Sequence, residues 1–225
     1  MADNSRIVPV PAQGRSAHAV FSATATDADA PLDAPPPTLL RHFGASDHAL
    51  TALAERPHCR AILTEVPVAE AAEAVLAARR EAFELAARTD GVVVDLVVPR
   101  VVAPVDDPSL DVASQWVAFD LDQLVLRSRG LETFGLPELR LDAADPSRTA
   151  MVLAIATGLA HRLISEWPEH DPVGPAAITL RDIAHGFGDP DAESAPTSPS
   201  LDVLVGYSDG ALAVTVTGEL SDLFG

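Results

Sequence analysis

The sequence predicts an α+β fold: a mixed β-sheet with two long helices packed on one face and a carboxy-terminal β-hairpin. Three observations predict it. Apolar residues recur at helical spacing over residues 67–89 and 146–167. Runs of Val, Ile, Leu and Thr of strand length lie before, between and after those stretches. Ser208-Asp-Gly210 separates two such runs at the end of the chain.

Residues 1–45 are rich in Ala, Pro and Asp and read as an arm. Short strands are expected there at Ile7–Val10 and Ala19–Thr26, and an extended polyproline stretch at Pro35–Pro37. A single domain is expected over 46–225. Ser46 caps a short helix that Pro57 stops. Cys59–Val66 then reads as a strand, and Pro67 opens a helix to about Thr89, with Gly91 placed to turn the chain out. Val68, Ala72, Val75, Leu76, Phe83 and Ala86 share one side of that helix, and Glu70, Glu73, Glu81, Glu84 and Arg88 the other. Arg79 falls among the apolar residues. It either lays its stem over apolar surface and reaches water, or meets a buried carboxylate.

Val92–Val98 is a strand too apolar on both faces for an exposed edge. Strand, helix and strand make a βαβ unit with parallel strands and a right-handed crossover. Pro99–Asp111 reads as a loop. Ser114–Leu121, Gln123–Arg129 and Pro137–Asp142 follow as a three-strand meander. Asp145-Pro146 starts a second helix that runs to about Trp167. It is apolar nearly all round, with a small, weakly polar side of Ala154, Thr157, Gly158, His161 and Ser165. Residues 168–200 read as loop with a short element at Ala177–Ile183, and the Gly, Pro, Asp and Ser content of 186–200 predicts a flexible segment. Leu201–Tyr207 and Ala211–Thr217 form the closing hairpin.

Composition narrows the chemistry. The chain has 225 residues, 48% of them hydrophobic, enough for a sizeable core. All 15 basic residues are arginine, against 33 acidic ones, for a net charge of −18. Such a field repels a phosphate backbone, so no nucleic-acid partner is expected. Without lysine there is no Schiff-base, pyridoxal-phosphate or P-loop chemistry. One cysteine, Cys59, forms no intramolecular disulfide and no thiolate-rich zinc site. No stretch is apolar and long enough for a membrane span or signal peptide, and the whole reads as a soluble bacterial-type cytoplasmic protein without a cofactor.

Apparent motifs dissolve on their context. Gly206-Tyr-Ser-Asp-Gly210 matches the nucleophile-elbow pattern, but a strand follows where the elbow needs a helix, and every histidine precedes the serine. The seven histidines include no H-E-x-x-H pair. Asp27–Asp29 and Asp189–Glu193 lack the glycine and glutamate of a calcium loop.

The stretch Leu126–Leu141 is the most prescribed. Arg127 and Arg129 leave the same face of a strand, and Glu138 and Arg140 do likewise on the returning one. A cross-strand ion pair of about 0.2–1 kcal/mol is one reading. An arginine pair that receives a carboxylate or phosphate is the other. Gly130 and Gly135 are placed to bend the backbone, Phe134 to anchor the connection and Pro137 to start the returning strand.

Ser128-x-Gly130-Leu131-x-x-Phe134-Gly135-x-Pro137-Glu138-Leu139 resembles the Thr-x-Gly-Met/Leu-x-x-Phe-Gly-x-Pro-Glu-Ile/Leu signature of an uncharacterised bacterial domain family. The likeness would span about residues 58–217. It departs at Ser128, where the signature has threonine, and in the proline-rich arm. It implies the order of elements above and supplies no reaction.

The function expected is that of a non-enzymatic binding protein, of accessory or immunity type, with a basic protein partner. Its rivals are a small hydrolase or ligand-binding enzyme using Arg127, Arg129 and Glu138, with His161 or His185 as acid–base group, and a structural assembly subunit.

Overall fold

The computed structural model describes residues 13–25, 28–105, 108–143 and 145–224. In it Gln13–Ser22, part of the expected arm, is strand β1 and is paired on both edges. It runs antiparallel to β2 (His58–Pro67), with Gln13 opposite Pro67 and Ser22 opposite His58. On its other edge it runs antiparallel to β3 (Val92–Asp95), which in turn pairs with β4 (Arg100–Val102). Since β2 and β3 are both antiparallel to β1, they are parallel to each other, as the strand–helix–strand order requires. β1 fills the place between them.

The physical reason is burial on both sides of β1. Ala19, Phe21, Cys59 and Val94 pack under α1 (Pro37–His42) and α2 (Asp47–Ala54), through Leu40 and Leu53. On the opposite face Val20, Ile62 and Val93 pack under α3 (Val68–Thr89), through Ala78, Ala82, Leu85 and Ala86. The expected strand at Ile7–Val10 lies outside the described residues.

The buried row of α3 is Ala71, Val75, Ala78, Arg79, Ala82, Leu85 and Ala86. It is rotated from the row of larger side chains that periodicity suggested, so that Ala72, Leu76 and Phe83 are only half-buried. Alanines let the helix lie close to the sheet. Asp90, not Gly91, takes the left-handed conformation at the helix end, with φ 47°. The strand expected over Val92–Val98 stops at Asp95, because the Asp95 carboxylate accepts the amides of Val97 (3.0 Å) and Val98 (3.1 Å) and curls the chain into a turn. This turn leads into β4 within the expected loop.

Residues from Ser109 onward form a second compact unit, the first being Gln13–Pro108. In the second unit β5 (Ala118–Asp122), β6 (Val125–Arg129) and β7 (Leu139–Asp142) make the expected meander, although Ala113–Gln115 is a 3-10 turn rather than strand. Asp145 caps a 3-10 turn at Pro146–Arg148, its carboxylate accepting the Ser147 amide at 2.9 Å, and α4 (Thr149–Glu166) follows. Then come β8 (Gly174–Thr179), α5 (Leu180–Phe187), β9 (Ser200–Ser208), β10 (Ala211–Val216) and α6 (Leu220–Phe224). The sheet order is β5-β6-β7-β10-β9-β8, with β7 and β10 parallel and the other neighbours antiparallel. Leu139, Leu141, Leu201, Val203, Leu212 and Val214 are buried on the face where α4 packs, while Arg127, Arg129, Asp202 and Leu204 are exposed.

The fold class is thus α+β, but the two long helices are shared between two sheets. Asp209 (φ 52°) and Gly210 (φ 78°) make the tight turn of the closing hairpin, which accounts for the serine pattern at Gly206–Gly210. On the weakly polar side of α4, Thr157 and Gly158 are buried against α5, whereas Ser165 is exposed. A Cβ on Gly186 would stand 2.6 Å from the Thr157 carbonyl, so glycine is what lets the helices touch. A 3-10 turn at Ala192–Ser194 lies within the segment of flexible composition. No helix among the described residues is long and apolar enough to cross a membrane.

Candidate functional site

Three arrangements gather the ionisable residues that the sequence singles out. The first is the β6–β7 connection. Glu138 does not meet Arg127 or Arg129; the expected cross-strand ion pair is absent. Its carboxylate instead accepts a hydrogen bond from the Ser128 hydroxyl and from the amides of Gly130 (2.8 Å) and Glu132 (3.2 Å). Ser128 in turn accepts the Leu139 amide at 2.7 Å. The reason is register. Alternation points Leu126 and Ser128 inward and the two arginines outward, and Glu138 precedes the first paired residue of β7. Arg127 stands opposite Asp120 on one side and Arg140 on the other, and Arg129 lies 4.0 Å from Asp120.

Gly130 (φ 120°) and Gly135 (φ 72°) sit in the left-handed region that their place in the motif demands. Phe134 is buried, edge-on to Trp116, and its carbonyl accepts the Trp167 indole at 2.9 Å. Burial pushes the Glu138 carboxyl up, against the three hydrogen bonds that favour its charged form. Glu138→Ala leaves these donors without their acceptor and is expected to destabilise by about 2–4 kcal/mol in urea unfolding. Glu138→Gln should lose less than half of that. Arg127→Ala and Arg129→Ala should stay within about 0.5 kcal/mol; a larger loss at either arginine would return it to the structural clasp.

The second arrangement joins two histidines distant in sequence. His161 on α4 and His185 on α5 stack with ring centroids 5.0 Å apart and 10° between planes. His161 Nδ1 donates to the Asp111 carbonyl at 2.8 Å, and His185 Nε2 lies 3.6 Å from a Glu193 carboxylate oxygen. Burial holds His161 below the ordinary imidazole range, and the neighbouring His185 acts in the same direction.

The third lies in the first unit. Arg79 is buried against Asp95, Nη2 to Oδ2 at 3.0 Å, so the buried-carboxylate reading of this arginine is the one realised. Its Nε donates to His18 Nε2 at 3.3 Å. Nε2 is therefore the bare nitrogen, and the ring proton sits on Nδ1. That atom and Ser16 Oγ are buried without a hydrogen-bond partner among the described residues. Burial, followed by Arg79 and Arg100, lowers the His18 pKa to about 3. Arg79 itself is lowered by burial to about 10 and stays cationic at neutral pH. His18 and Asp95 gave no sign in the sequence beyond one charge in an apolar strand and one histidine in the expected arm; Arg79 was the visible clue.

His58 pairs with Asp29, Nδ1 to Oδ2 at 3.2 Å, within one of the calcium-like fragments, whose Asp27 lies outside the described residues. Among the described residues no three His, Cys, Asp or Glu side chains converge as a metal site would require. No family model, curated protein or solved structure matches the chain.

Proposed function

We propose that this chain is a non-enzymatic binding protein, of accessory or immunity type, that takes a basic protein partner. A row of carboxylates carries the reading. At about 100° per residue, Glu70, Glu73, Glu81 and Glu84 of α3 fall within about 80° of arc. With a rise of 1.5 Å per residue they extend along about 21 Å. All four are exposed, and Glu84 is only loosely neutralised by Arg88 at 3.8 Å. The net charge of −18 adds to this local field. Arg88 closes the row and Arg80 borders it, so the face is predominantly acidic, and such a face steers an oppositely charged surface and fixes its register. The more buried carboxylates, Asp95, Glu138 and Asp182, are instead engaged by backbone amides.

The test is capture from native lysate at about 50 mM and about 500 mM salt. The chain and a variant carrying Glu70→Gln, Glu73→Gln, Glu81→Gln and Glu84→Gln would be compared. A basic protein held at low salt by the native chain, and lost at high salt and by the variant, is the expected result. Recovery of no partner at low salt, or equal retention by the variant, defeats the proposal.

A further inference from the structure

We infer that the crevice at the carboxyl ends of β7 and β10 is a binding site for a small zwitterion with an apolar body, of the chemical class of the apolar α-amino acids. The topology makes the crevice. β7 and β10 are parallel neighbours, with Leu139 opposite Leu212 and Leu141 opposite Val214. The chain leaves β7 for α4, which packs on β7 and β8, and leaves β10 for α6, which packs on β9. As parallel neighbours they lead out of the sheet at the same end, and the residues that follow them, Ala143 and Gly218, line one cleft there. Here the cleft encloses about 370 Å³, within the range of about 300–1,000 Å³ for small-molecule sites.

Its lining selects the ligand class. Leu141, Val152, Val214, Val216 and Leu220 supply an apolar wall, Arg148 supplies one cation, and Asp142 and Glu219 supply two anions. Both walls are held in place. Arg148 sits on the turn capped by Asp145, its own amide donating to the Asp145 carbonyl at 3.0 Å. Across the cleft, the amides of Thr217 (3.0 Å) and Gly218 (3.2 Å) and the Thr217 hydroxyl (3.0 Å) all donate to the Asp202 carbonyl. The planar guanidinium suits a carboxylate, and Glu219 suits an ammonium group. A ligand with a net negative charge would meet both Glu219 and Asp142, in a chain of net charge −18. A simple cation would leave the Arg148 guanidinium to the lining carboxylates alone, with no ligand group to answer it. A zwitterion satisfies both, and its apolar body covers the wall. The inference does not depend on the carboxylate row of α3, whose failure would leave it standing.

Calorimetric titration of the full chain with L-leucine and L-valine tests it, with leucinamide and 4-methylpentanoate as analogues lacking one charge each. Saturable binding of leucine is expected, weakened by about tenfold or more in each analogue, the size of one lost charge-assisted hydrogen bond. Arg148→Ala should weaken leucine by a similar factor with an unchanged unfolding midpoint, while Arg127→Ala leaves binding as it was. The inference is overturned if neither amino acid gives a saturable signal at about 10 mM, in the weak-binding range where small ligands begin. It is equally overturned if Arg148→Ala binds leucine as well as the native chain.

Discussion

Asp95→Ala is expected to lower the unfolding free energy by about 3–5 kcal/mol, the cost of breaking a buried charged pair from one side. The change removes the carboxylate 3.0 Å from Arg79, a residue only 1% exposed, and also the acceptor of the Val97 and Val98 amides. Each of those losses alone costs about 1–3 kcal/mol. Because a loss of that size can prevent isolation of the single variant, the informative comparison is with Arg79→Met and with the double variant Arg79→Met, Asp95→Asn. In the double variant both charges are gone, while an oxygen remains for the two amides. It should recover at least half of the loss seen in Asp95→Ala. Urea midpoints for the set decide the matter. Additive losses would mean that the two side chains act independently, and the pair would then not be the lock between α3 and the sheet.

Acid should unfold the first unit through His18. In the folded state its pKa is about 3, because burial, Arg79 and Arg100 all oppose a second ring proton. In the unfolded chain it returns to about 6.5. The unfolded state therefore binds a proton that the folded state refuses, and stability present above pH 6.5 falls as the pH drops toward 3. The slope approaches about 1.4 kcal/mol per pH unit, for about 2.3 kcal/mol between pH 6.5 and pH 4.5. His161, also held low by burial, acts in the same direction. Asp95, pushed up by burial, acts in the opposite one, since stability from a raised carboxyl is lost as pH rises. Comparing the native chain with His18→Gln isolates the histidine. Between about pH 7 and about pH 4.5, His18→Gln should lose about 2–3 kcal/mol less than the native chain. Parallel losses would show that His18 accepts a proton while folded.

The elements set by local pattern were legible. α2 starts at the Ser46 cap and α4 follows the Asp145-Pro146 signal; the meander over β5 to β7 and the Asp209-Gly210 hairpin also lie where turn chemistry and period put them. Within the Leu126–Leu141 stretch the sequence identified the bends and the buried Phe134. It misjudged the partner of Glu138, because the inward-facing Ser128 competes with the arginines only once register is known. Asp95 was hidden for a similar reason. A carboxylate that ends a strand by capturing two amides looks, in a string of valines, like an interruption of a longer strand.

What the sequence by itself determined is therefore the class of fold, the identity of most helices and strands, and the charge that any partner must meet. Those follow from interactions between residues a few positions apart and from summed composition. What only the tertiary structure decided is the insertion of β1 between β2 and β3, the sharing of the long helices between two sheets, the Arg79–Asp95–His18 cluster, the His161–His185 stack and the cleft beside Arg148. Each joins segments tens of residues apart. Such contacts are chosen by which faces can be buried together, and one strand's period is compatible with many neighbours until the others are in place.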